Sequence, residues 1–123
     1  SVTVLRHVSF IPAGGLAFKN GVASGVAAFL ARRIFQGPPL NGPISSALLP
    51  VGPLILGTTI DPAGSNLLVE ITRGGRLVAS KNVDTGAAGA LFGMVATGSG
   101  DDNAQLYFND DNDNTVKVLT IDN

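Results

Sequence analysis

Apolar and polar residues alternate along three stretches of the chain with the two-residue period of a pleated strand. The stretches are residues 67–72, residues 76–83, and residues 106–108 together with 115–121. In the last of these, Val116 and Val118 fall on one face, whereas Leu119 and Ile121 fall on the other. The pattern predicts an all-β protein.

Turn-forming residues separate the alternating stretches. Asn, Asp and Gly tolerate left-handed backbone conformations or form turns stabilised by their own side chains, so they favour hairpins at these points. The turn signals are Asp61-Pro62-Ala63-Gly64, Arg73-Gly74-Gly75, Asp84-Thr85-Gly86 and residues 109–114. The chain is therefore expected to form antiparallel strands.

Residues 21–35 fit two kinds of secondary structure. We interpret them as a strand, although Val22, Val26 and Phe29 would also align along one side of a helix. Residues 37–43 follow and contain three prolines. Because proline breaks helices and central strands alike, these residues are expected to form a connection.

The chain can be aligned with itself at an offset of 47 residues. This alignment pairs Gly42 with Gly89, Val69 with Val116, and Ile71 with Val118. The apolar run at residues 54–56 meets residues 106–108 only after a further shift of five residues. An insertion in one loop would explain the shift, and so would chance; the alignment favours a repeated sheet unit.

The composition is that of a single folded domain. With 123 residues the chain is long enough for one compact domain with a hydrophobic core, but not for two domains. Hydrophobic residues make up 45% of the chain and charged residues only 14%, which excludes a disordered protein. Sixteen glycines and seven prolines interrupt long helices and supply the turns that an all-β fold needs.

Charge and segment length exclude two classes of partner. Eight basic and nine acidic residues nearly cancel, and the largest basic cluster is the pair Arg32 and Arg33, so no nucleic-acid partner is expected. The longest apolar stretch, residues 21–31, is about half as long as a membrane span, so no membrane association is expected. No signal-peptide pattern is visible. The compartment stays open, with a secreted or periplasmic location favoured.

Part of the chain resembles a known family. Asn41-Gly42-Pro43-Ile44, Asp61-Pro62-Ala63-Gly64 and residues 68–79 together look like a blade of the NHL-type or related six-bladed β-propellers. Residues 90–96, 105–111 and 114–119 are similar to the first, second and third strands of the next blade. The resemblance covers about residues 37–123. It implies one β unit over residues 1–123, with a partial blade at 1–36 and blades at 37–86 and 87–123.

A propeller of this length would be incomplete. A blade takes about 40 to 50 residues and a closed ring needs at least about four blades, whereas this chain supplies two to three. The uncovered faces of blade-like antiparallel sheets would have to be completed by oligomerisation or by a missing chain. We therefore predict a homo-oligomer or a partner chain. A small β-sandwich is the alternative fold.

Acidic and amide residues are concentrated near the C-terminal end. Carboxylate and amide oxygens are the ligands that Ca²⁺ prefers, so the run suggests a metal site. The candidate ligands are Asp101, Asp102, Asn109, Asp110, Asp111 and Asp113. An EF-hand is excluded because, counted from Asp110, the sixth position is Thr115 rather than glycine. A solvated hairpin loop explains the same residues without a metal.

The same run supports a second resemblance. Residues 98–123, with an Asp/Asn-rich run before an apolar strand, look like the calcium-dependent bacterial lectins built as small β-sandwiches. That resemblance implies a calcium-dependent, carbohydrate-binding function.

Few residues suggest catalysis. His7 is the only histidine, cysteine is absent, and neither Ser24 nor Ser99 lies in a Gly-x-Ser-x-Gly motif, so no catalytic residue is assigned. Arg73 and Arg76 could bind an anionic ligand through planar, bidentate hydrogen bonds, or could simply promote solubility.

These observations favour a non-catalytic, ligand- or protein-binding module. A metal-dependent lactonase or other hydrolase is an alternative, because related six-bladed propellers include such enzymes. A calcium-dependent lectin is the other alternative. Calcium is the one cofactor that the sequence suggests, and a small molecule or a carbohydrate is the ligand that these alternatives imply.

Overall fold

The protein is described by a computed structural model over residues 7–10, 17–50, 52–58 and 66–120. The predicted turn at residues 61–64 lies outside the described residues, as do the side chains of His7 and Asp101. Four strands belong to the N-terminal part: β1 (His7–Phe10), β2 (Ala17–Lys19), β3 (Val22–Ser24) and β4 (Arg32–Gln36). Seven more follow: β5 (Pro43–Leu48), β6 (Leu54–Thr58), β7 (Asn66–Ile71), β8 (Leu77–Asp84), β9 (Met94–Thr97), β10 (Gln105–Asp110) and β11 (Thr115–Thr120).

The predicted all-β class is confirmed. Strands β5, β6, β7 and β8 form a four-stranded antiparallel sheet whose order follows the chain, and β9, β10 and β11 form a three-stranded sheet of the same kind. Two antiparallel pairs, β1 with β4 and β2 with β3, precede them. The four-stranded sheet lies within residues 37–86 and the three-stranded sheet within 87–123; the division into propeller blades stays a prediction.

The four-stranded sheet packs face to face against the three-stranded sheet. Ile55 and Leu68 on its one face meet Leu106 and Phe108 of β10, and Leu91 is fully buried between the two sheets. In β10, buried and half-buried positions alternate along the whole strand. That pattern is expected of a strand with one covered face.

The opposite face of the four-stranded sheet packs against the β1–β4 pair. Leu56, Val69 and Ile71 form this second core, with Val8 and Phe35 against it. The four-stranded sheet is therefore the middle of three layers. Because its central strands β6 and β7 are covered on both faces, they are apolar in continuous runs rather than in alternation.

The two larger sheets have corresponding strands, and their register corrects the alignment at 47 residues. Leu56 pairs with Ser46 and Val69, and Phe108 pairs with Met94 and Lys117. Leu56 and Phe108 each face the layer that comes before their own sheet in the chain, so they are matching positions, separated by 52 residues. Their partners in the first and third strands are separated by 48 residues. An offset of 47 is wrong by one residue on the first and third strands, and a shift of one residue places a side chain on the opposite face.

The interpretation of residues 21–35 as one strand was wrong at its centre. The structure has β3, then a five-residue helix, α1 (Val26–Leu30), and then β4. Gly25 adopts φ 95°, which ends the strand, and its carbonyl accepts a hydrogen bond from the Phe29 amide. Among the described residues no helix has the length and apolar character that crossing a membrane requires; α1 has five residues.

Candidate functional site

The two acidic segments near the C-terminal end lie at opposite ends of β10. A 3₁₀ turn, Asp101–Asn103, precedes the strand, and the loop at residues 111–114 follows it. The strand has six residues and is about 17 Å long. Asp101 and Asp102 are therefore separated from the other predicted metal ligands, and the Asp102 side chain is exposed.

Three carboxylates meet at the far end of β10. Each of Asp84, Asp110 and Asp113 places a carboxylate oxygen within 4.8 Å of the other two. Asp84 is the last residue of β8 in the four-stranded sheet, whereas the others belong to the β10–β11 hairpin. We call these residues the carboxylate trio. Their oxygen ligands could hold a metal ion.

A lysine from the same hairpin already contacts the trio. The Lys117 ammonium donates a hydrogen bond to Asp110 Oδ2 and lies 2.9 Å from Asp113 Oδ2. The Asp110 side chain is fully buried, so its charge requires a nearby cation. Lys117 therefore supplies the positive charge that a metal ion would otherwise bring.

Hydrogen bonds favour the charged forms of Asp84, Asp113 and Lys117. The pKa of Asp84 is lowered, chiefly by the hydrogen bond from the Asn112 side chain and then by that from the Gly86 amide. The pKa of Asp113 is lowered by hydrogen bonds from Thr115 and Lys117. The pKa of Lys117 is raised because its charged form donates to Asp110 and Asp113. Asp84, Asp113 and Lys117 are therefore charged at neutral pH.

Two other predicted ligands are directed elsewhere. The Asn109 side-chain oxygen accepts a hydrogen bond from the Gly93 amide, and its amide nitrogen donates to the Ala90 carbonyl oxygen over 3.3 Å. The Asp111 amide donates to the same carbonyl over 3.0 Å, and its side chain is exposed. The structure thus brings together only Asp110 and Asp113 from the predicted set, and adds Asp84.

Asparagine side chains hold the connection between the two larger sheets. Asn66 is fully buried; its Nδ2 donates to the carbonyl oxygens of Asp84 and Ala87, and its Oδ1 accepts from the Ala90 amide over 3.0 Å. Asn112 Nδ2 donates to Asp84 Oδ1 over 2.6 Å and to the Ala87 carbonyl oxygen over 2.9 Å. Asn66 was not among the predicted site residues; an amide at the start of an apolar run is the one signal that marks it in the sequence.

The predicted ligand-binding arginines share one groove. Arg73 and Arg76 lie at the β7–β8 turn, which is fixed by hydrogen bonds between Thr72 and Arg76. Both line a groove of about 490 Å³ together with Glu70 and Pro53. Neither guanidinium forms an ion pair with any residue that the structure describes. Their role in ligand binding stays a prediction.

The outer face of the three-stranded sheet carries no charged side chain. It consists of the strand residues that alternate with the core-facing Leu106 and Phe108. We call it the outer face; its residues are Val95, Thr97, Gln105, Tyr107, Asn109, Val116, Val118 and Thr120. Val95, Val116 and Val118 are 56%, 73% and 50% exposed. Such a face differs from the usual charged surface of a solvated sheet.

Comparisons with protein-family models, with curated proteins and with solved structures gave no match for this chain. The resemblances to NHL-type propellers and to calcium-dependent lectins therefore stay predictions.

Proposed function

We propose that this chain is a non-catalytic, protein-binding module of stacked blade-like sheets whose partner is a second copy of itself. The uncharged outer face is the observation that carries the proposal. Three exposed valines on one sheet face favour contact with another apolar surface over contact with water.

The internal packing of the chain supports this choice of surface. The four-stranded sheet has a face equivalent to the outer face, and there Ile55 and Leu68 are covered by the next sheet. Stacking one more sheet on the outer face would continue the same arrangement. In a head-to-tail contact, the outer face would meet the N-terminal layer of a second copy, where β4 carries Arg32 and Arg33. The arginines would lose water there without gaining an acidic partner, because the outer face is uncharged. Contact between the same faces of two copies avoids that penalty.

The size of the outer face sets the expected strength of the dimer. Three strands spaced about 4.8 Å apart and about 17–20 Å long present a surface of roughly 300 Å². Stable complexes bury about 800 Å² per partner, so a dimer that dissociates on dilution is expected. A two-fold axis would make the contact isologous.

Sedimentation equilibrium between about 10 µM and 1 mM tests this proposal, a range that suits a small interface. The average mass should rise toward that of two chains. A double variant, Val116→Lys with Val118→Lys, places like charges across the two-fold contact and should stay monomeric. Val22→Lys, at a residue that is 66% exposed elsewhere, should dimerise as the parent does. A parent chain that remains monomeric at the highest concentration would refute the proposal.

Calcium binding at the carboxylate trio is a second candidate function. Three carboxylate oxygens within 4.8 Å favour it, and the Lys117 ammonium opposes it because the ion would have to displace that group. The lactonase-like and lectin alternatives both depend on a bound cation, so one experiment tests this shared requirement.

Thermal melting with CaCl₂ or with EDTA measures this binding. An ion that binds only the folded state raises the melting temperature in proportion to ln(1 + [L]/Kd). Lys117→Met should enlarge the response to calcium, and Asp84→Asn in that background should remove it. Equal melting temperatures in calcium and EDTA for both the parent and Lys117→Met would exclude this candidate function.

A further inference from the structure

We infer that the edge of β11 that has no partner strand among the described residues binds an extended strand of a partner polypeptide, which completes the three-stranded sheet as its fourth strand. This inference concerns an edge and a cleft rather than the outer face, so it does not depend on self-association. Its basis is the difference between two otherwise corresponding sheets.

The four-stranded sheet shows where the additional strand would lie. Its third strand, β7, pairs with β6 on one side and with β8 on the other. In the three-stranded sheet the corresponding strand, β11, pairs with β10 alone among the described segments. One edge of β11 therefore presents the amide and carbonyl groups of every second residue, three of the six in the strand, for pairing with another strand.

A cleft lies beside this edge. The two sheets approach each other at β5 and β9, whereas β8 and β11, at the far edges, make no comparable contact. Between them is a cleft of about 180 Å³ with an apolar floor formed by Ile55, Leu68, Leu106 and Leu119. A strand added to β11 would direct every second side chain toward this cleft. Since a cavity of about 150 Å³ binds benzene, the cleft has room for an aliphatic side chain.

The charges near the edge leave pairing unobstructed. Edge strands are often protected by a lysine, and β11 carries Lys117. Its ammonium, however, is held by Asp110 and Asp113 on the hairpin. Glu70 and Lys81 both line the cleft, with opposite charges, and neither is in an ion pair within the described ranges. Because these two charges are of opposite sign and the floor of the cleft is apolar, a net charge on the partner would gain nothing. The partner is therefore an extended, uncharged segment with branched aliphatic residues at alternate positions.

A synthetic peptide that alternates threonine and valine over six residues, acetylated and amidated, is the probe. We expect saturable binding by isothermal titration calorimetry and, in ¹H–¹⁵N spectra, amide shifts concentrated in β11 and around the cleft. The same peptide with proline at two central positions should not bind, because it lacks the amide donors.

Variants of the protein complete the test. Ala79→Arg, on the exposed cleft-facing side of β8, should weaken binding by about tenfold or more because the new side chain fills the cleft. Val22→Arg, at an exposed position of β3 outside both larger sheets, should leave binding unchanged. Binding of the proline peptide, or shifts centred on the outer face, would overturn the inference, and so would no detectable binding by the parent chain. The two peptides keep the test valid even if Ala79→Arg folds poorly, and the dimer measurement is decided separately by sedimentation.

Discussion

Replacing Asn66 with alanine should destabilise the fold more than any exposed substitution nearby. The Asn66 side chain makes three hydrogen bonds to backbone groups of Asp84, Ala87 and Ala90. Ala90 is buried, so water cannot replace the lost acceptor of its amide. Ala87 is exposed, so its carbonyl oxygen can bond to water instead. The main penalty therefore comes from one orphaned amide and a small cavity.

The magnitude follows from these contacts. A typical hydrogen bond contributes about 1 kcal/mol net, and an unpaired buried donor costs about 1–3 kcal/mol. We expect Asn66→Ala to lose about 3 kcal/mol of the free energy of unfolding, a large part of the roughly 5–15 kcal/mol of a typical domain. The corresponding fall in melting temperature is about 10 °C. Urea titration followed by circular dichroism measures the free energy directly.

Asn82→Ala is the matched control. Asn82 is exposed and its Oδ1 accepts one local hydrogen bond from the Asp84 amide, so its loss should cost at most about 1 kcal/mol. If Asn66→Ala is no more destabilising than Asn82→Ala, the proposed role of Asn66 is refuted.

Asn66→Asp separates the donor from the acceptor. The introduced carboxyl keeps the acceptor for the Ala90 amide, but its ionised form turns a second oxygen toward the carbonyl oxygens of Asp84 and Ala87. Its pKa in the folded state should therefore rise above the ordinary value of about 3.9. Because the folded state then binds the proton more tightly, the loss of stability should be largest at neutral pH and shrink as the pH falls through the raised pKa. A penalty that does not change with pH would argue against this contact.

Two further predictions concern backbone geometry and pH. Gly75 has φ 95°, and an added Cβ would lie 2.0 Å from the Ile34 carbonyl oxygen, so Gly75→Ala should lower the melting temperature strongly. Gly74→Ala should not, because the nearest contact of its added Cβ is at 3.9 Å. Equal melting temperatures of the two variants would contradict this prediction. Because the pKa values of Asp84 and Asp113 are lowered in the folded protein, the two carboxylates stabilise the fold fully above about pH 4. This contribution is lost as the pH falls through their pKa values in the folded state. The fall in melting temperature on acidification should therefore be smaller in Asp84→Asn than in the parent. An unchanged drop would show that Asp84 is not part of the linkage.

Local signals in the sequence were sufficient for the β10–β11 hairpin, but not at Asp84-Thr85-Gly86, where the chain passes from β8 to the next sheet instead of forming a hairpin. The two-residue alternation around Val116 and the turn residues at 109–114 predicted β10, β11 and their loop, because side-chain periodicity and turn chemistry act over a few residues. The strand β10 continues through Asn109 and Asp110, so the loop is shorter than predicted. The same reasoning failed at residues 26–30, where Gly25 allows the chain to leave the strand and begin a helix.

Only the tertiary structure decided which residues meet at the candidate site. Asp84 joins Asp110 because two sheets stack and bring the end of β8 beside the β10–β11 hairpin, and no local pattern encodes that approach. The structure likewise turned Lys117 toward the carboxylates and buried Asn66 against the connection between the sheets. The sequence determined where strands form, since that depends on near neighbours; the long-range packing of sheet faces determined the site, since it depends on register and on layers far apart in the chain.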